Sequence, residues 1–407
     1  MGEKTVSTVE KRSPGKLILA SLALPSFASN LPPLVVGLLL VDIGQTFGYP
    51  VGVTGQIRTV AMILGTFFAL LMGVLSVRFR HKLLLVAGLL LKSIAAVGCG
   101  FAPSFAIMLV SYSLQGVGAS MTGPMSYALV GEYFSRERRG SVIGWISAAG
   151  ALAYVVGSPV AGAVSGFWNW RVAFLGFVLP VYLLSLSLAV KGLPALSSSH
   201  QPKAHVGGYS EGFKGVFSNR SAVACLVGSA LSGTAWLAIL IYAPSFLRQR
   251  FLMPTGIVSV IVVIAALCYT SGSLISGQFV KRFGRKPLSV LTALVAGAFT
   301  ISYTNMPDLG LSLAVILLGC LFSGMRSVAS TNLTLEQVPR FRGTMMSANH
   351  ATLAMSDAIG SGIGGLALLM SGYGAMAATL GAMGIAAAII FQLLAKDPTK
   401  TETQTHS

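Results

Sequence analysis

Twelve long apolar runs, separated by short charged or Gly- and Pro-containing stretches, constrain this sequence more than any other feature. A bilayer core about 30 Å thick needs about 20 residues of helix to cross it, and each run is close to or above that length. Only 10% of the residues are charged, against about 25% in a typical globular protein, so the chain lacks the polar surface of a soluble particle. We therefore predict an all-α membrane protein with twelve transmembrane helices at residues 17–41, 54–76, 83–102, 105–130, 141–165, 172–191, 221–246, 256–280, 287–305, 311–335, 343–370 and 375–395.

The positive charges are distributed unevenly between the two sides of this topology. The chain has 28 Lys and Arg against 11 Asp and Glu, a net charge of +17 that would suggest a nucleic-acid partner in a soluble protein. With both termini on one side, the loops of the other side contain only Arg171, Arg248 and Arg250. Because Lys and Arg are retained in cytoplasmic loops, we expect a multi-pass protein of the cell membrane, plasma or inner, with both termini cytoplasmic and no nucleic-acid partner.

The apolar runs form two groups of six. We assign a cytoplasmic N-terminal tail to residues 1–16, a six-helix bundle to 17–191, a cytoplasmic linker to 192–220, a second six-helix bundle to 221–395 and a cytoplasmic C-terminal tail to 396–407. The linker is the only long polar stretch inside the chain. The first apolar run is too long for the core of a cleavable signal, so we expect it to stay in the membrane.

An internal repeat relates the two groups. The segment Gly73-Val-Leu-Ser-Val-Arg-Phe-Arg-His-Lys82 follows the second run, and Gly277-Gln-Phe-Val-Lys-Arg-Phe-Gly-Arg-Lys286 follows the eighth with the same spacing from Gly to Arg to the final Lys. The stretch from Glu132 to Arg139 after the fourth run is echoed by Glu336 to Arg342 after the tenth. Two repeats in register indicate a duplication, so we predict two pseudo-symmetric bundles.

These segments resemble signature motifs of the major facilitator superfamily. The two repeated loops are similar to its motif A, G-x-L-a-D-R-x-G-R-R/K, and Gln115-Gly-Val-Gly-Ala119 is similar to motif B. Gly157-Ser-Pro-Val-Ala-Gly162 resembles motif C of the proton-coupled drug antiporters, and Gly360 to Gly365 lies at the corresponding place in the second bundle. The resemblance implies a substrate site near the midplane between the bundles. It also implies gating or pivot roles for Gly73, Arg78, Lys82, Glu132, Arg139, Gly157, Pro159, Gly162, Gly277, Arg282, Gly284, Arg285, Glu336 and Arg342.

Three positions depart from these motifs. The acidic position of motif A is Val77 in the first bundle and Lys281 in the second. The usual arginine of motif B is replaced by Tyr112, and Ser158 separates the Gly and Pro of motif C. Because motif A lacks its carboxylate, the gating interaction of that group cannot be assigned to this chain. Because motifs B and C also differ from the family pattern, drug–proton exchange is only a qualified expectation.

Two cations lie inside helices of the first bundle. Ionisable groups at the bilayer centre cost at least about 2.5–3.5 kcal/mol, so each is a candidate functional residue. For Arg58, near the outer end of helix 2, we favour a structural ion pair with Asp42. Lys92 lies in helix 3, which is peripheral in the resembling fold, and we favour snorkelling or a local structural pair over substrate binding.

The second bundle provides the strongest candidates. Arg326 lies about 15 Å inside helix 10, which lines the cavity in the resembling fold, and needs a carboxylate or an anionic ligand because guanidinium stays charged. Asp357 is the only carboxylate well inside a predicted helix, and His350 precedes it on the same helical face. We predict that Asp357 or His350 takes up a proton while Arg326 holds substrate or pairs with Asp357. The alternative is a permanent Arg326–Asp357 pair that locks helices 10 and 11.

Uncharged polar and aromatic groups complete the predicted site. Pro25, Pro32 and Pro33 are expected to break helix 1, and broken helices expose backbone groups that bind solutes in transporters. Asn30 lies between these prolines and is a binding candidate, with helix–helix hydrogen bonding as the alternative. The other groups at cavity depth are Gln56, Gln115, Tyr127, Trp236, Tyr242 and Asn349, of which the aromatic residues could equally be packing residues.

We predict a secondary active transporter, not an enzyme, which moves a small organic solute by alternating access. The four cysteines lie in apolar runs without metal-ligand spacing, so we expect them to be core residues, and we expect no metal and no cofactor. The motif C-like glycines favour proton-coupled efflux by antiport. The alternative is an organic-anion exchanger or proton symporter anchored by Arg326, because the buried charges are three cations against one carboxylate. We expect a monomer in the lipid bilayer, with a small-molecule substrate and protons as partners.

Overall fold

The computed structural model describes residues 16–194 and 213–397. The predicted tails and most of the predicted linker, 192–220, lie outside these residues. Within them the first bundle comprises six helices that alternate in direction. They are α1 (Lys16–Phe47), α2 (Gln56–Arg78, preceded by the turn Val51–Thr54), α3 (His81–Gly100), α4 (Phe105–Tyr133), α5 (Arg136–Phe167) and α6 (Trp170–Gly192).

The second bundle repeats this arrangement in the described residues. Its first four helices are α7 (Arg220–Arg250), α8 (Thr255–Phe283), α9 (Arg285–Ser302) and α10 (Leu309–Leu335). A final helical stretch, Arg342–Leu394, has 53 residues and would be about 80 Å long if straight, far more than a bilayer core. It reverses at Ser371 and Gly372, where Gly372 has φ of 80°.

This reversal gives two helices, α11 (342–370) and α12 (373–394). Gly364 lies against the Leu380 side chain, which is possible only if the two segments run side by side. A left-handed φ is readily adopted by glycine, so Gly372 explains why a continuous apolar run turns here. Counting both segments, the described residues cross the membrane twelve times, and the predicted fold class is confirmed.

The structure differs from the sequence prediction in α1. This helix runs through Pro25, Pro32 and Pro33 without a break, and its only residue with non-helical backbone angles is Leu39. Each proline removes one backbone hydrogen bond, but a full break inside the bilayer would leave several polar backbone groups without partners. The helix therefore continues, and the predicted exposed backbone at Asn30 is absent.

The two ends of the molecule differ in charge. One end, here the basic end, is formed by the turns that join α2 to α3, α4 to α5, α8 to α9 and α10 to α11, which include Arg78, Arg139 and Arg282. The opposite end is the far end. Since the number of crossings is even, residues 16 and 394 both lie at the basic end.

The bundles meet closely in the half of the molecule toward the far end. Gly37 of α1 packs against the Leu240 carbonyl of α7, and Ser158 Oγ of α5 donates to the Ser259 carbonyl of α8 at 2.9 Å. Near the start of α2, Gly52 lies against the carbonyl of Gly365 in α11. Small residues thus bring three helix pairs from different bundles to backbone distance.

The predicted placement of the cysteines agrees with the structure. Cys99, Cys225 and Cys320 are buried and Cys268 is half-buried, all as free thiols. They are packing residues of the helices.

Candidate functional site

An ion pair joins the two bundles near the middle of the molecule. Arg58 Nη2 of α2 lies 3.1 Å from Asp357 Oδ2 of α11. The guanidinium is buried, whereas 33% of the Asp357 side chain is exposed. Asp357 is therefore the less buried partner of the pair.

The predicted Arg58–Asp42 pair is wrong. Asp42 instead binds Arg248 of α7 through both carboxylate oxygens, with Nη2 to Oδ1 at 2.8 Å. The start of α2 packs on α11, not on the end of α1, because Gly362 and Gly365 leave room for it. Two inter-bundle ion pairs result, one at the far end and one nearer the centre.

Polar contacts beside the central pair strengthen the contact between α2 and α11. Thr59 Oγ1 donates to Ser361 Oγ at 2.9 Å, and Gln56 Nε2 donates to the Gly362 carbonyl at 3.2 Å. Tyr242 of α7 donates to the Ser361 carbonyl at 2.7 Å. Gln56 thus joins the two bundles, and Tyr242 joins α7 to α11 within the second bundle, where the sequence had suggested cavity groups.

Arg326 does not pair with Asp357, so that predicted contact is wrong. Its Nη1 donates to Ser232 Oγ of α7 at 2.6 Å, and its buried Nε has no hydrogen-bond partner. Within residues 16–194 and 213–397, no carboxylate lies within 4 Å of this guanidinium. Asp357 is already engaged by Arg58, which leaves Arg326 as a buried positive charge without a counter-ion.

Lys92 is the second buried cation without a carboxylate among the described residues. The predicted snorkelling is wrong, because only 1% of the residue is exposed. Its Nζ turns inward and donates to Ser29 Oγ of α1 at 2.6 Å and to Thr122 Oγ1 of α4 at 2.8 Å. The predicted alternative, a local structural contact, agrees with these two hydrogen bonds, which lie about 16 Å from the start of α3.

Of the uncharged candidates, two are tied into local packing. Gln115 is buried, accepts from Tyr182 at 2.8 Å and donates to the Lys92 carbonyl at 3.3 Å. Asn30 is half-buried and donates to the Ser26 carbonyl at 2.9 Å. Gln115 therefore fixes α3, α4 and α6 together, and Asn30 keeps its amide oxygen available for a ligand or a neighbouring helix.

The remaining candidates differ in exposure. Trp236 is half-buried and its ring lies 4.6 Å from that of Tyr269, centroid to centroid. Asn349 is buried and its Oδ1 has no partner among the described residues. His350 and Tyr127 are exposed, and His350 lies seven positions before Asp357, a distance of about 10 Å along α11. The structure therefore does not gather Arg326, Asp357 and His350 into one relay.

The motif residues at the basic end form equivalent ion pairs in the two bundles. His81 Nδ1 contacts Glu132 Oε1 in the first bundle, and Arg285 Nη1 lies 3.7 Å from Glu336 Oε1 in the second. Arg285 lies 204 positions after His81, and Glu336 lies 204 positions after Glu132. The ion pairs therefore give the register of the internal repeat.

Other motif residues hold the turns at the basic end. Lys82 donates to the carbonyls of Val190 and Leu193, and Arg139 donates to the Gly131 carbonyl at 2.5 Å and the Phe134 carbonyl at 3.1 Å. Arg282 lies over the Phe283 ring, and Gly284 ends α8 with φ of 88°. Arg78 is exposed and Gly277 has open space around it, whereas the surroundings of Gly73 and the side chain of Arg342 lie outside the described part.

The motif C-like segment of α5 has a packing role. Gly157 lies against Leu31 and Leu34 of α1, and Gly162 lies against Ser259 of α8. Pro159 lies within an uninterrupted helix. Gly157 and Gly162 thus let α5 pack on α1 of its own bundle and on α8 of the second bundle. The glycines from Gly360 to Gly365 likewise let α11 pack on α7 of its own bundle and on α2 of the first bundle.

A family model described as Major Facilitator Superfamily matches residues 18–266 and 247–407. The chain belongs to the Major Facilitator Superfamily. It is therefore a multi-pass membrane protein. Membership agrees with the twelve crossings of the described residues and with the internal repeat.

Individual proteins resemble the chain more distantly. A "Probable 4-methylmuconolactone transporter" of Cupriavidus pinatubonensis is 28% identical over 290 residues, which are 70% of this chain and 66% of that protein, just under two thirds. Multidrug resistance protein 2 of Bacillus subtilis is 22% identical over 301 residues, 71% of this chain and 73% of that one. The crystal structure of a D-xylose-proton symporter superposes with a TM-score of 0.77 at 18% identity, covering 94% of this chain and 98% of that one.

Proposed function

We propose that this protein is a secondary transporter that carries a small organic anion across the membrane in a proton-coupled manner, with Arg326 as the anchor for the anion. The observation that supports this substrate class is the buried Arg326 guanidinium, which lacks a carboxylate among the described residues and has an unpartnered Nε. An uncompensated charge at this depth costs at least about 2.5–3.5 kcal/mol. A bound carboxylate would offset that cost with charge-assisted hydrogen bonds.

The relative named for 4-methylmuconolactone supports the same class. That compound is a lactone bearing a carboxylic acid, so it is an organic anion at neutral pH. Guanidinium binds carboxylates through two parallel hydrogen bonds, and Arg326 has Nε and the second terminal nitrogen available for such a contact. Trp236, Asn30 and Asn349 are the proposed neighbours that would contact the uncharged part of the substrate. The other two residues predicted to bind, Gln115 and Tyr242, have structural contacts instead.

Proton coupling is assigned to Asp357. Its carboxylate is one-third exposed and also holds Arg58 of the other bundle, so the same group can exchange a proton and join the bundles. Protonation would remove the charge that attracts Arg58 and so weaken the contact between α2 and α11. We therefore propose that proton uptake favours separation of the bundles at the far end. His350 is exposed and remains a secondary candidate.

Alternating access would occur by rocking of the two bundles. We propose α5 and α11 as the pivots, because their glycines bring them into backbone contact with helices of the other bundle. Lys and Arg are concentrated at the basic end, so we propose that this end faces the cytoplasm of a cell membrane and that both termini lie there. Each chain contains both bundles, so a monomer is the proposed working unit.

Proton-coupled efflux of a lipophilic solute is the second candidate. It is favoured by the motif C-like glycines of α5 and by the similarity to Multidrug resistance protein 2. In this case Asp357 would still exchange the proton, but Arg326 would have a structural role.

The deciding experiment uses the purified protein in proteoliposomes with an internal pH dye. Small organic anions, neutral sugars and lipophilic cations are added in turn to the outside at neutral pH. Proton movement confined to anions, with higher anion uptake at acidic external pH, is the expected result. Proton movement with cations or neutral amphiphiles and none with anions would contradict the proposal and favour efflux.

A further inference from the structure

The internal repeat places the two unpaired buried cations at equivalent positions of the two bundles. Subtracting the repeat distance of 204 from Arg326 gives position 122, which is Thr122 of α4. The ammonium of Lys92 lies 2.8 Å from Thr122 Oγ1. Lys92 belongs to α3, but its charge therefore occupies the place in the first bundle that the Arg326 side chain occupies in the second.

A hydrogen bond from each cation reaches the first helix of its bundle, one position away from exact equivalence. Arg326 donates to Ser232 of α7, and the position equivalent to Ser232 in α1 is 28, directly before Ser29. Lys92 donates to Ser29. Both charges therefore lie between the first and fourth helices of their bundle. They are at similar depths, about 16 Å from the start of α3 and about 14 Å from the end of α10.

The route of the Lys92 side chain is built into the helix packing. Gly118 of α4 lies directly beside the Lys92 Cγ, and any larger residue there would collide with it. The Lys92 carbonyl accepts from Gln115, which fixes the backbone from which the side chain starts. The motif B-like segment thus lets a lysine from a peripheral helix reach the interior.

The contacts of Lys92 satisfy only part of its hydrogen-bonding capacity. An ammonium group has three donors, and two of them bind the hydroxyls of Ser29 and Thr122. Within the described residues, no carboxylate lies within 4 Å of it. Ser29 is half-buried whereas Thr122 is buried, so the ammonium is less enclosed on the Ser29 side, and the flexible lysine stem allows it to move.

We propose that Lys92 is a second anion-binding residue and that the preferred substrate carries acceptor oxygens at both ends, as a dicarboxylate does. One carboxylate would bind Arg326 of the second bundle and the other would bind Lys92 of the first bundle. This inference rests on the proposed function and adds the charge pattern of the substrate. It gives each bundle one contact with the anion, so that a two-ended anion would draw the bundles together.

The test compares two anions of equal chain length, adipate and hexanoate, which are both fully ionised at pH 7.5. Their dissociation constants are measured by isothermal titration calorimetry with the purified full-length protein. Wild-type protein should bind adipate about tenfold more tightly than hexanoate, the gain expected from one added charge-assisted contact. In Lys92→Met the adipate affinity should fall to that of hexanoate, with the hexanoate affinity nearly unchanged. In Arg326→Gln the affinities for both anions should fall.

The control variant is Lys191→Met, which removes the same charge from an exposed site at the end of α6 and should leave both affinities unchanged. Equal affinity of wild-type protein for the two anions would overturn the inference, and so would an adipate preference that persists in Lys92→Met. The wild-type comparison decides even if Lys92→Met fails to fold. If neither anion binds to wild-type protein, the proposed function fails first, and the two failures are therefore distinguishable.

Discussion

Arg58 and Asp357 lie in different bundles, 299 positions apart, and their side chains meet at 3.1 Å. Arg58 is buried, whereas Asp357 keeps 33% of its side chain exposed. A carboxylate that is accessible and also joins the bundles has the two properties required of a coupling residue. This contact is therefore the centre of the first two predictions.

Asp357→Asn is expected to abolish accumulation driven by a pH gradient while leaving exchange of external for internal substrate. The amide cannot take up or release a proton, but it preserves the size of the side chain. Radiolabelled substrate uptake in proteoliposomes, with and without an imposed pH gradient, measures the two activities separately. Asp308→Asn is the matched control and should keep gradient-driven uptake, because Asp308 is exposed in the turn before α10 and asparagine can still cap that helix. Normal accumulation by Asp357→Asn would remove this residue from the coupling mechanism.

Arg58→Gln is expected to lower thermal stability more than the double variant Arg58→Gln/Asp357→Asn does. The single change leaves a carboxylate without its partner, whereas the double change removes both charges. Residues in direct contact show coupling energies of about 0.5–3 kcal/mol. Melting temperatures of the wild type, both single variants and the double variant complete the cycle. Additive changes would show that the pair contributes no stability.

Arg326→Gln is expected to raise the KM for the anion about tenfold to a hundredfold. Hydrogen bonds to charged groups contribute about 1.5–3 kcal/mol, which corresponds to that range. Arg326→Lys keeps the charge without the planar two-point contact and should give an intermediate KM. Initial rates of anion uptake at several concentrations provide the measurement. An unchanged KM in Arg326→Gln would assign this residue to packing alone.

The architecture was predictable because helix length and apolarity are local properties of the sequence. The twelve crossings, the two groups of six and the repeat all follow from run lengths and motif spacing. The predicted spans ended at 370 and resumed at 375, so a turn was predicted between them. The structure adds its exact place at Gly372. The continuity of α1 was mispredicted because proline removes a local hydrogen bond, whereas the surrounding bilayer penalises a full break.

The pairing of charges was not predictable in the same way. The sequence shows how deep a residue lies along its helix, but it does not show which neighbouring helix the side chain faces. Asp357 was correctly placed deep in α11, yet its partner is Arg58 and not Arg326, because glycines of α11 admit the start of α2. For Lys92 the missing information was the gap at Gly118, which directs the side chain inward.

Gly365→Val is expected to prevent close contact of the bundles at the far end. Any Cβ at this position would lie about 2.6 Å from the Gly52 carbonyl and would also collide with the Gln56 amide. The bundles must then separate there, which should expose Thr59 of α2. A Thr59→Cys reporter on a cysteine-free background should react faster with a membrane-impermeant maleimide added at the far side. The matched control is Gly166→Val in α5, where a Cβ meets nothing within 4 Å and the labelling rate should not change. Equal labelling in the two valine variants would show that this glycine contact does not close the far end.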